Sequence, residues 1–378
     1  MYDLDNTSSF IRSRLDELNI PYKYPYAKTG IVATIGKGSN VVGLRSDMDA
    51  LPIEEHSDVP FRSKLKGKMH ACGHDAHMTM LLGGAKLLKQ HEDELQGTVK
   101  LFFQPAEEGG AGGDRMVKEG ATKGVKAMFG QHVWPTLALG HIGSRPGAFL
   151  AGAQEFHVVI KGKGMHAAMP HLGRDPIAAA AHIISALQLL VSRETPPVGS
   201  AVISVTMIHA GEGAYNVVPD TASFGGTIRS LSLEGMKVLK KRFAEVVEHQ
   251  AAALECTSSI DWMDKDSPAY PPTINDPEAV KFAMGVSKKL LGSDKVNADH
   301  EPTMGGEDFA FYGLSGIPST FMFLGTQNEK IGAVHSLHSP RFKLDESILP
   351  TGAALHAALA FEYLNNRDSA KKAGSDEL

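Results

Sequence analysis

Cys72, Gly73 and His74 are followed further along the chain by the adjacent acids Glu107 and Glu108. A thiolate, an imidazole and carboxylates are donors that late divalent metals accept. Two neighbouring acids offer two jobs, one holding a metal and one moving protons. Cys72 and His74 lie in Met69-His70-Ala71-Cys72-Gly73-His74-Asp75-Ala76-His77, a concentration of histidine well above the 17 spread through the chain. A metal or an adjacent positive charge would keep Cys72 ionised. The bland alternative makes Cys72 a small buried residue and His74 the start of a helix. His70 and His77 read as structural support rather than as ligands.

Further candidates follow from the strands. The apolar run Val99-Lys100-Leu101-Phe102-Phe103 stops at Pro105. Read as a buried parallel strand, it delivers Glu107 and Glu108 just past its carboxyl end, where open α/β sheets place their sites. The glycines Gly109, Gly110, Gly112 and Gly113 then let backbone approach a ligand closely. Read alone, the acids could also be a solvated loop. His132 ends the next strand and would lie beside Glu108 on the same sheet edge. His335-Ser336-Leu337-His338-Ser339-Pro340 follows another strand and could supply a fifth donor, with spacing unable to choose between His335 and His338. Asp47 and Asp49 end the strand Val41 to Leu44 and serve as readily for turns or support as for ligation. In the middle of the chain, Gly162 to His171 is a glycine-rich loop displaying His166 and His171. Asn216 and Arg229 flank a strand there. An arginine fork suits a carboxylate, although Asp220 or Glu234 could equally pair with Arg229.

The elements that position these residues alternate strand and helix. A helix is expected over Ser9 to Leu18, strands over Gly30 to Ile35 and Val41 to Leu44, and a helix over Asp75 to Leu88. Strands over Val99 to Phe103 and Ala127 to Val133 follow. This βαβ logic predicts a largely parallel sheet. From Gln154 a self-contained set begins: strand Phe156 to Ile160, helix Pro176 to Arg193, strands Ala201 to His209 and Thr221 to Ile228, helix Leu233 to Leu254, strand Thr257 to Trp262. The order β-α-β-β-α-β is ferredoxin-like. The proline-rich Ser267 to Pro272 reads as a linker. A helix over Pro277 to Leu291, a strand over Ser319 to Leu324 and a helix over Leu349 to Leu364 resume the first pattern. The chain is therefore α/β with two domains: 1–150 and 267–378 form a catalytic domain interrupted by a lid domain over 151–266.

Composition is that of an ordinary globular protein: 378 residues, 42% hydrophobic and 21% charged, enough for two domains. A net charge of −5 gives no reason to expect nucleic acid or an anionic membrane as partner. No uninterrupted apolar stretch approaches a membrane span of about 20 residues. Two cysteines, Cys72 and Cys256, make no disulfide framework, which leaves Cys72 for chemistry. Met1 to Leu15 lacks the apolar core of a secretory signal. The terminal Ser375-Asp376-Glu377-Leu378 is close to an endoplasmic-reticulum retention tetrapeptide; the alternative is a solvated tail and a cytoplasmic location.

With these residues in place, the sequence resembles the M20 metallopeptidases, their amidohydrolase branch, and within it the plant indole-3-acetyl-amino-acid hydrolases. The segments that carry the likeness span nearly the whole chain: Leu44 to Pro52, Gly67 to Asp75, Phe103 to Gly109, Gly143 to Gly147, His166 to His171, Asn216 to Pro219, Thr303 to Phe309 and Leu337 to Pro340. The resemblance implies a site for two divalent metal ions on Cys72, His74, Glu108, His132 and His338. Its match at His-Ser-Pro is what favours His338. It implies manganese as the usual metal, with zinc, cobalt and nickel also suited to a thiolate-containing set. It makes Glu107 the general base and His166 a residue of the insert that assists at the oxyanion, in some members across a homodimer interface. Asn216 and Arg229 match substrate-contacting positions.

The implied reaction is hydrolysis of an N-acyl amino acid, with auxin conjugates the favoured class. The alternatives are a bacterial-type deacylase acting on hippurate, N-acetyl or Cys-conjugate substrates, and a non-catalytic metal-binding protein. Two departures stand out. Relatives usually begin with an Arg-Arg-x-x-His-x-x-Pro-Glu-Leu helix ahead of the segment matching Tyr2 to Phe10, so this chain looks trimmed. Ser46 replaces a common alanine, from which little effect is expected.

Overall fold

A computed structural model describes residues 1–373 except Glu212. The terminal Ser375 to Leu378, and with it the retention-signal expectation, lies outside the described residues. The chain divides into two compact units: Met1–Phe149 with Thr273–Pro302 and Asp308–Leu378, and Leu150–Pro272 with Thr303–Glu307.

The first unit is built on an eight-stranded mixed sheet. Its centre is parallel: Val41–Asp47 pairs with Thr98–Gln104 on one side and Ala127–Ala138 on the other, and Ala127–Ala138 pairs with Ser319–Gln327. The expected parallel sheet is thus its core. Both flanks depart from it: Gly30–Gly36 runs antiparallel to Thr98–Gln104 and pairs in turn with Tyr22–Tyr26, and Ile142–Gly143 runs antiparallel to Ser319–Gln327. The central strands carry long apolar runs, with polar residues such as Arg45, Lys100 and Gln131 among them. Leu44, Leu101, Phe103 and Phe129 are all buried, as expected of strands covered on both faces.

Helices His74–Gln90 and Leu349–Ala373 pack against each other in this unit. The first buries His77, Met80, Leu81, Gly84, Ala85 and Leu88, an i, i+3/i+4 stripe that faces inward. Gly84 permits the close approach, since a Cβ there would lie 2.9 Å from the Cβ of His356. The helix Pro277–Leu291 carries its signals at both ends. Asp276 caps it, accepting from the N–H of Ala279, with proline at the first turn and Gly292 at φ 91° just past the end.

The second unit has a four-stranded antiparallel sheet in the spatial order Ala201–Ala210, Thr221–Ser230, Gly152–Lys161, Thr257–Asp261. Helices Pro176–Leu189 and Leu233–Ala253 bury Ile183, Leu187, Phe243 and Val247 in its core. This is the ferredoxin-like arrangement. The α-helical part of the first helix ends at Leu189 and continues as a π-helical turn, Leu190–Glu194. By length and composition Pro176–Glu194 is apolar enough to cross a membrane, but Ala179, Ala180, Ile183 and Leu187 are buried in this unit's own core.

The unit boundary falls later than the proline-rich stretch suggests. Tyr270 is buried, and its N–H and C=O bond reciprocally to Ala153 at 2.9 and 3.0 Å. Ser267 to Pro272 is therefore tied into the second unit. So is Thr303–Glu307, where the Thr303 carbonyl accepts from Ala151 N–H at 3.1 Å. Ala151 and Thr303 lie far apart in sequence, and such a pairing leaves no local pattern to read.

Candidate active site and metal centre

The site in the first unit is assembled at the carboxyl ends of the parallel strands. After Thr98–Gln104 and Pro105, Ala106 is buried in a left-handed conformation at φ 58°. Such backbone costs a non-glycine residue roughly 1–2 kcal/mol and marks a constrained turn. Its carbonyl accepts from the N–H groups of Gly110 and Gly112 at 3.2 and 3.1 Å. Gly112 is required here, because a Cβ would sit 1.6 Å from the Pro105 oxygen. The turn aims two successive backbone donors at Asp49. Glu107 N–H donates to its Oδ1 and Glu108 N–H to its Oδ2, each at 3.0 Å. Asp49 thus braces both glutamates.

Gly73 performs the second turn. At φ 86° it precedes the helix His74–Gln90, and a Cβ on it would lie 2.4 Å from Val133 Cγ2. Cys72 and His74 are both buried on either side of it. His74 Nε2 faces Asp47 Oδ2 at 3.6 Å, Glu108 Oε1 at 3.9 Å and Glu107 Oε2 at 4.0 Å, while its Nδ1 faces Asp49 Oδ1 at 3.5 Å. Cys72 Sγ lies 3.4 Å from His132 Nε2. His338, at φ 61° with its N–H bonded to Ala71 O, brings Nε2 to 3.3 Å from Glu108 Oε1. His335 lies instead within electrostatic reach of Asp58. Cys72, His74, Glu108, His132 and His338 are thereby linked by close approaches, with Glu107 at their side.

The residues fit a metal. Both nitrogens of His74 and Oε1 of Glu108 are buried without a hydrogen bond of good geometry; their neighbours stand off at 3.3 to 4.0 Å, a spacing that a cation between them would satisfy. Burial pulls the His74 imidazole down, but Asp47, Asp49 and Glu108 outweigh it and raise it to about 10. Burial, together with Glu108, Glu107 and Asp47, pushes the Cys72 thiol well up. Both shifts report a pocket rich in negative charge, which a bound cation reverses. Burial holds His132 well below its ordinary value. Its Nδ1–H donates to Val133 O at 2.7 Å, so the Nε2 lone pair is free toward Cys72.

His77 differs. Val133 N–H donates to its Nε2 at 2.9 Å, so Nδ1 carries the proton and donates to Asp47 Oδ1 at 2.6 Å. Both ring nitrogens are engaged, and proximity to His74 and His132 does not make it a donor to metal. His70 Nδ1 is buried without a partner.

Beneath the site lies a network that inspection of the sequence passed over. Arg45 is fully buried and bonds Gln104 Oε1 through Nε at 3.0 Å, Asp47 Oδ2 through Nη1 at 2.7 Å and Asp308 Oδ1 through Nη2 at 2.8 Å. Gly113 N–H and Gln104 Nε2 also donate to Asp308, and Tyr312 donates to Gln104 Oε1. Arg45, directly after the apolar run Val41 to Leu44 of a buried strand, was the available signal, since arginine is almost never fully buried unpaired.

In the second unit, Met165–His166 pairs with Val217–Val218, and Ala167 N–H donates to Asn216 O at 2.9 Å. His166 and Asn216 are thus neighbours, and both are exposed. Arg229 takes neither expected acid. Its Nη1 donates to Met304 O at 2.8 Å, while Asp220 Oδ1 accepts from Gly164 N–H and Glu234 pairs with Lys237.

A buried cysteine, histidine and carboxylate set at the carboxyl edge of a mixed α/β sheet, with an antiparallel domain inserted in the chain, is the design of a metal-binding hydrolase. The chain belongs to the family described as Peptidase family M20/M25/M40, whose model matches residues 43–362. It is 47% identical over 364 residues to IAA-amino acid hydrolase ILR1-like 4 of Arabidopsis thaliana, covering 96% of this chain and 82% of that protein. It is 39% identical over 368 residues to an N-acetyl-L-cysteine deacetylase of Bacillus subtilis, covering 97% and 85% respectively. Among solved structures it is similar to a dinuclear metal-binding peptidase of the M20 family from Bacillus subtilis, with a TM-score of 0.80, 36% identity and coverage of 96% and 92%. The chain is an amidohydrolase, a hydrolase acting on amide bonds.

Proposed function

We propose that the chain cleaves the amide bond of N-acyl amino acids, with indole-3-acetyl conjugates as the preferred class, releasing the acid and the free amino acid. The observation that carries the reaction is the placement of Glu107 beside the Cys72, His74, Glu108, His132 and His338 donors, with its backbone fixed by Asp49. The likeness to the plant hydrolase over 96% of the chain supports the substrate class.

The five donors would hold two divalent ions, manganese first and zinc, cobalt or nickel as substitutes. Bound ions supply Lewis acidity that lowers the pKa of water toward about 7. Glu107 accepts the proton of the attacking water and passes it to the leaving amine. Asp49 keeps Glu107 and Glu108 in register, and the half-exposed His338 leaves room beside Glu108. By resemblance, His166 assists at the oxyanion, and Asn216 and Arg229 hold the amino-acid portion. The test is a panel of conjugates with the manganese-loaded protein. The expected order of kcat/KM is indoleacetyl-alanine above hippurate and N-acetylcysteine. A higher value for either of the latter moves the chain to the bacterial-type deacylases, and no turnover across the panel with metal bound sinks the catalytic reading.

A homodimer through the insert is supported by its edge strand Ala201–Ala210, which pairs on one side with Thr221–Ser230 and exposes Met207 and Ile208. Unprotected apolar edges invite a further strand. Ile208→Pro should then shift the particle mass measured by light scattering from dimer to monomer. A location in the endoplasmic-reticulum lumen is proposed from the likeness of Ser375 to Leu378 to a retention tetrapeptide; fused behind a secretory signal, the tagged chain should be retained in that compartment, and the same chain without those four residues should be secreted.

A further inference from the structure

We propose that Arg45 is a positioning residue that withholds the Asp47 carboxylate from metal and so fixes the ligand set. The inference rests on the reading of Cys72, His74, Glu108, His132 and His338 as the ligands. Asp47 lies on the metal-facing side of His74: its Oδ2 is 3.6 Å from Nε2, the ring nitrogen that Glu107 and Glu108 also face. Donor atoms of Asp47, His74, His77 and His132 all fall within 4.8 Å of one another, so proximity alone would make Asp47 and His77 ligands too.

Hydrogen bonding removes both. His77 is engaged at Nε2 by Val133 N–H and at Nδ1 by Asp47. Asp47 gives Oδ1 to His77 at 2.6 Å and Oδ2 to Arg45 Nη1 at 2.7 Å. A guanidinium on Oδ2 occupies a lone pair and repels a divalent ion from that oxygen. Arg45 cannot swing aside, because Gln104 Oε1 and Asp308 Oδ1 hold its Nε and Nη2, and Asp308 is itself held by Gly113 N–H and Gln104 Nε2. Freed from Arg45, Asp47 would add a hard oxygen donor, raise the coordination number and shift preference toward harder ions.

The test uses the full chain loaded with cobalt(II), whose visible absorption weakens as coordination number rises. Asp47→Asn in the otherwise intact protein should leave the spectrum unchanged. Arg45→Met should lower the absorptivity by about twofold or more as Asp47 joins the set, and Asp47→Asn added to Arg45→Met should restore it. An unchanged spectrum in soluble Arg45→Met overturns the proposal. So does a changed spectrum in Asp47→Asn alone, a result that decides the matter even if Arg45→Met does not fold. A parent protein that takes up no cobalt would refute the ligand reading itself.

Discussion

At the scale of single residues, the site depends on which atoms have partners. His77 and His132 are both buried beside His74, yet Val133 divides their roles: its N–H engages His77 Nε2 and its carbonyl engages His132 Nδ1. One imidazole is left closed and the other open toward Cys72. The same reasoning favours His338 over His335 as a donor, since His338 approaches Glu108 at 3.3 Å. His338→Ala should weaken metal affinity by roughly tenfold or more, measured by competition with a chelator, while His335→Ala should not change it. Residue types and spacing made Cys72, His74, Glu107 and Glu108 legible, because a thiol, histidines and paired acids at strand ends have few other uses. For Asp49 the sequence left support and ligation open, and its partners were not legible, because they are backbone N–H groups 58 and 59 residues away.

At the scale of elements, two turns and one helix contact do the positioning. Gly73 combines a positive φ with a contact that leaves no space for a methyl group. Gly73→Ala should cost about 2–4 kcal/mol from left-handed strain and overpacking together, seen as a lowered urea midpoint and reduced metal uptake. His356, on the helix Leu349–Ala373, is fully buried with neither ring nitrogen hydrogen-bonded, and burial holds it at about 3. An unfolded histidine titrates near 6.5, so between those values the unfolded chain binds more protons than the folded one. Stability from this group is therefore complete above about pH 6.5 and is lost on acidification. His356→Leu should flatten the dependence of the urea midpoint on pH between about 4 and 6.5 by roughly one proton's worth. An unaltered slope would contradict it. The long apolar strands and capped helices were readable from sequence. The strand Tyr22–Tyr26 was not, because it is only five residues long and Pro25 interrupts it.

At the scale of the whole molecule, the first unit is stitched from distant parts of the chain. Arg45 and Asp308 are 263 residues apart and meet in a fully buried ion pair. No local pattern announces such a partner, which is why the network under the site emerged only from the fold. The division into an α/β unit and a ferredoxin-like insert was readable, since the strand and helix order changes abruptly near Gln154. A metal held on the buried His74 and Glu108 atoms would make the first unit's stability depend on it. Stripping metal should lower the melting temperature, and restoring it to about a hundred times its dissociation constant should return roughly 2.7 kcal/mol. An unchanged melting curve would contradict a metal on the buried His74 and Glu108 atoms.

The central claim is that Glu107 moves the proton while its neighbours hold metal, and one measurement addresses both halves. Metal content and turnover of indoleacetyl-alanine are compared for the parent and Glu107→Gln under the same manganese loading. The account predicts equal metal content and a loss of kcat of about a hundredfold or more. Near-parental turnover in Glu107→Gln, or its loss of metal along with activity, would contradict the assignment.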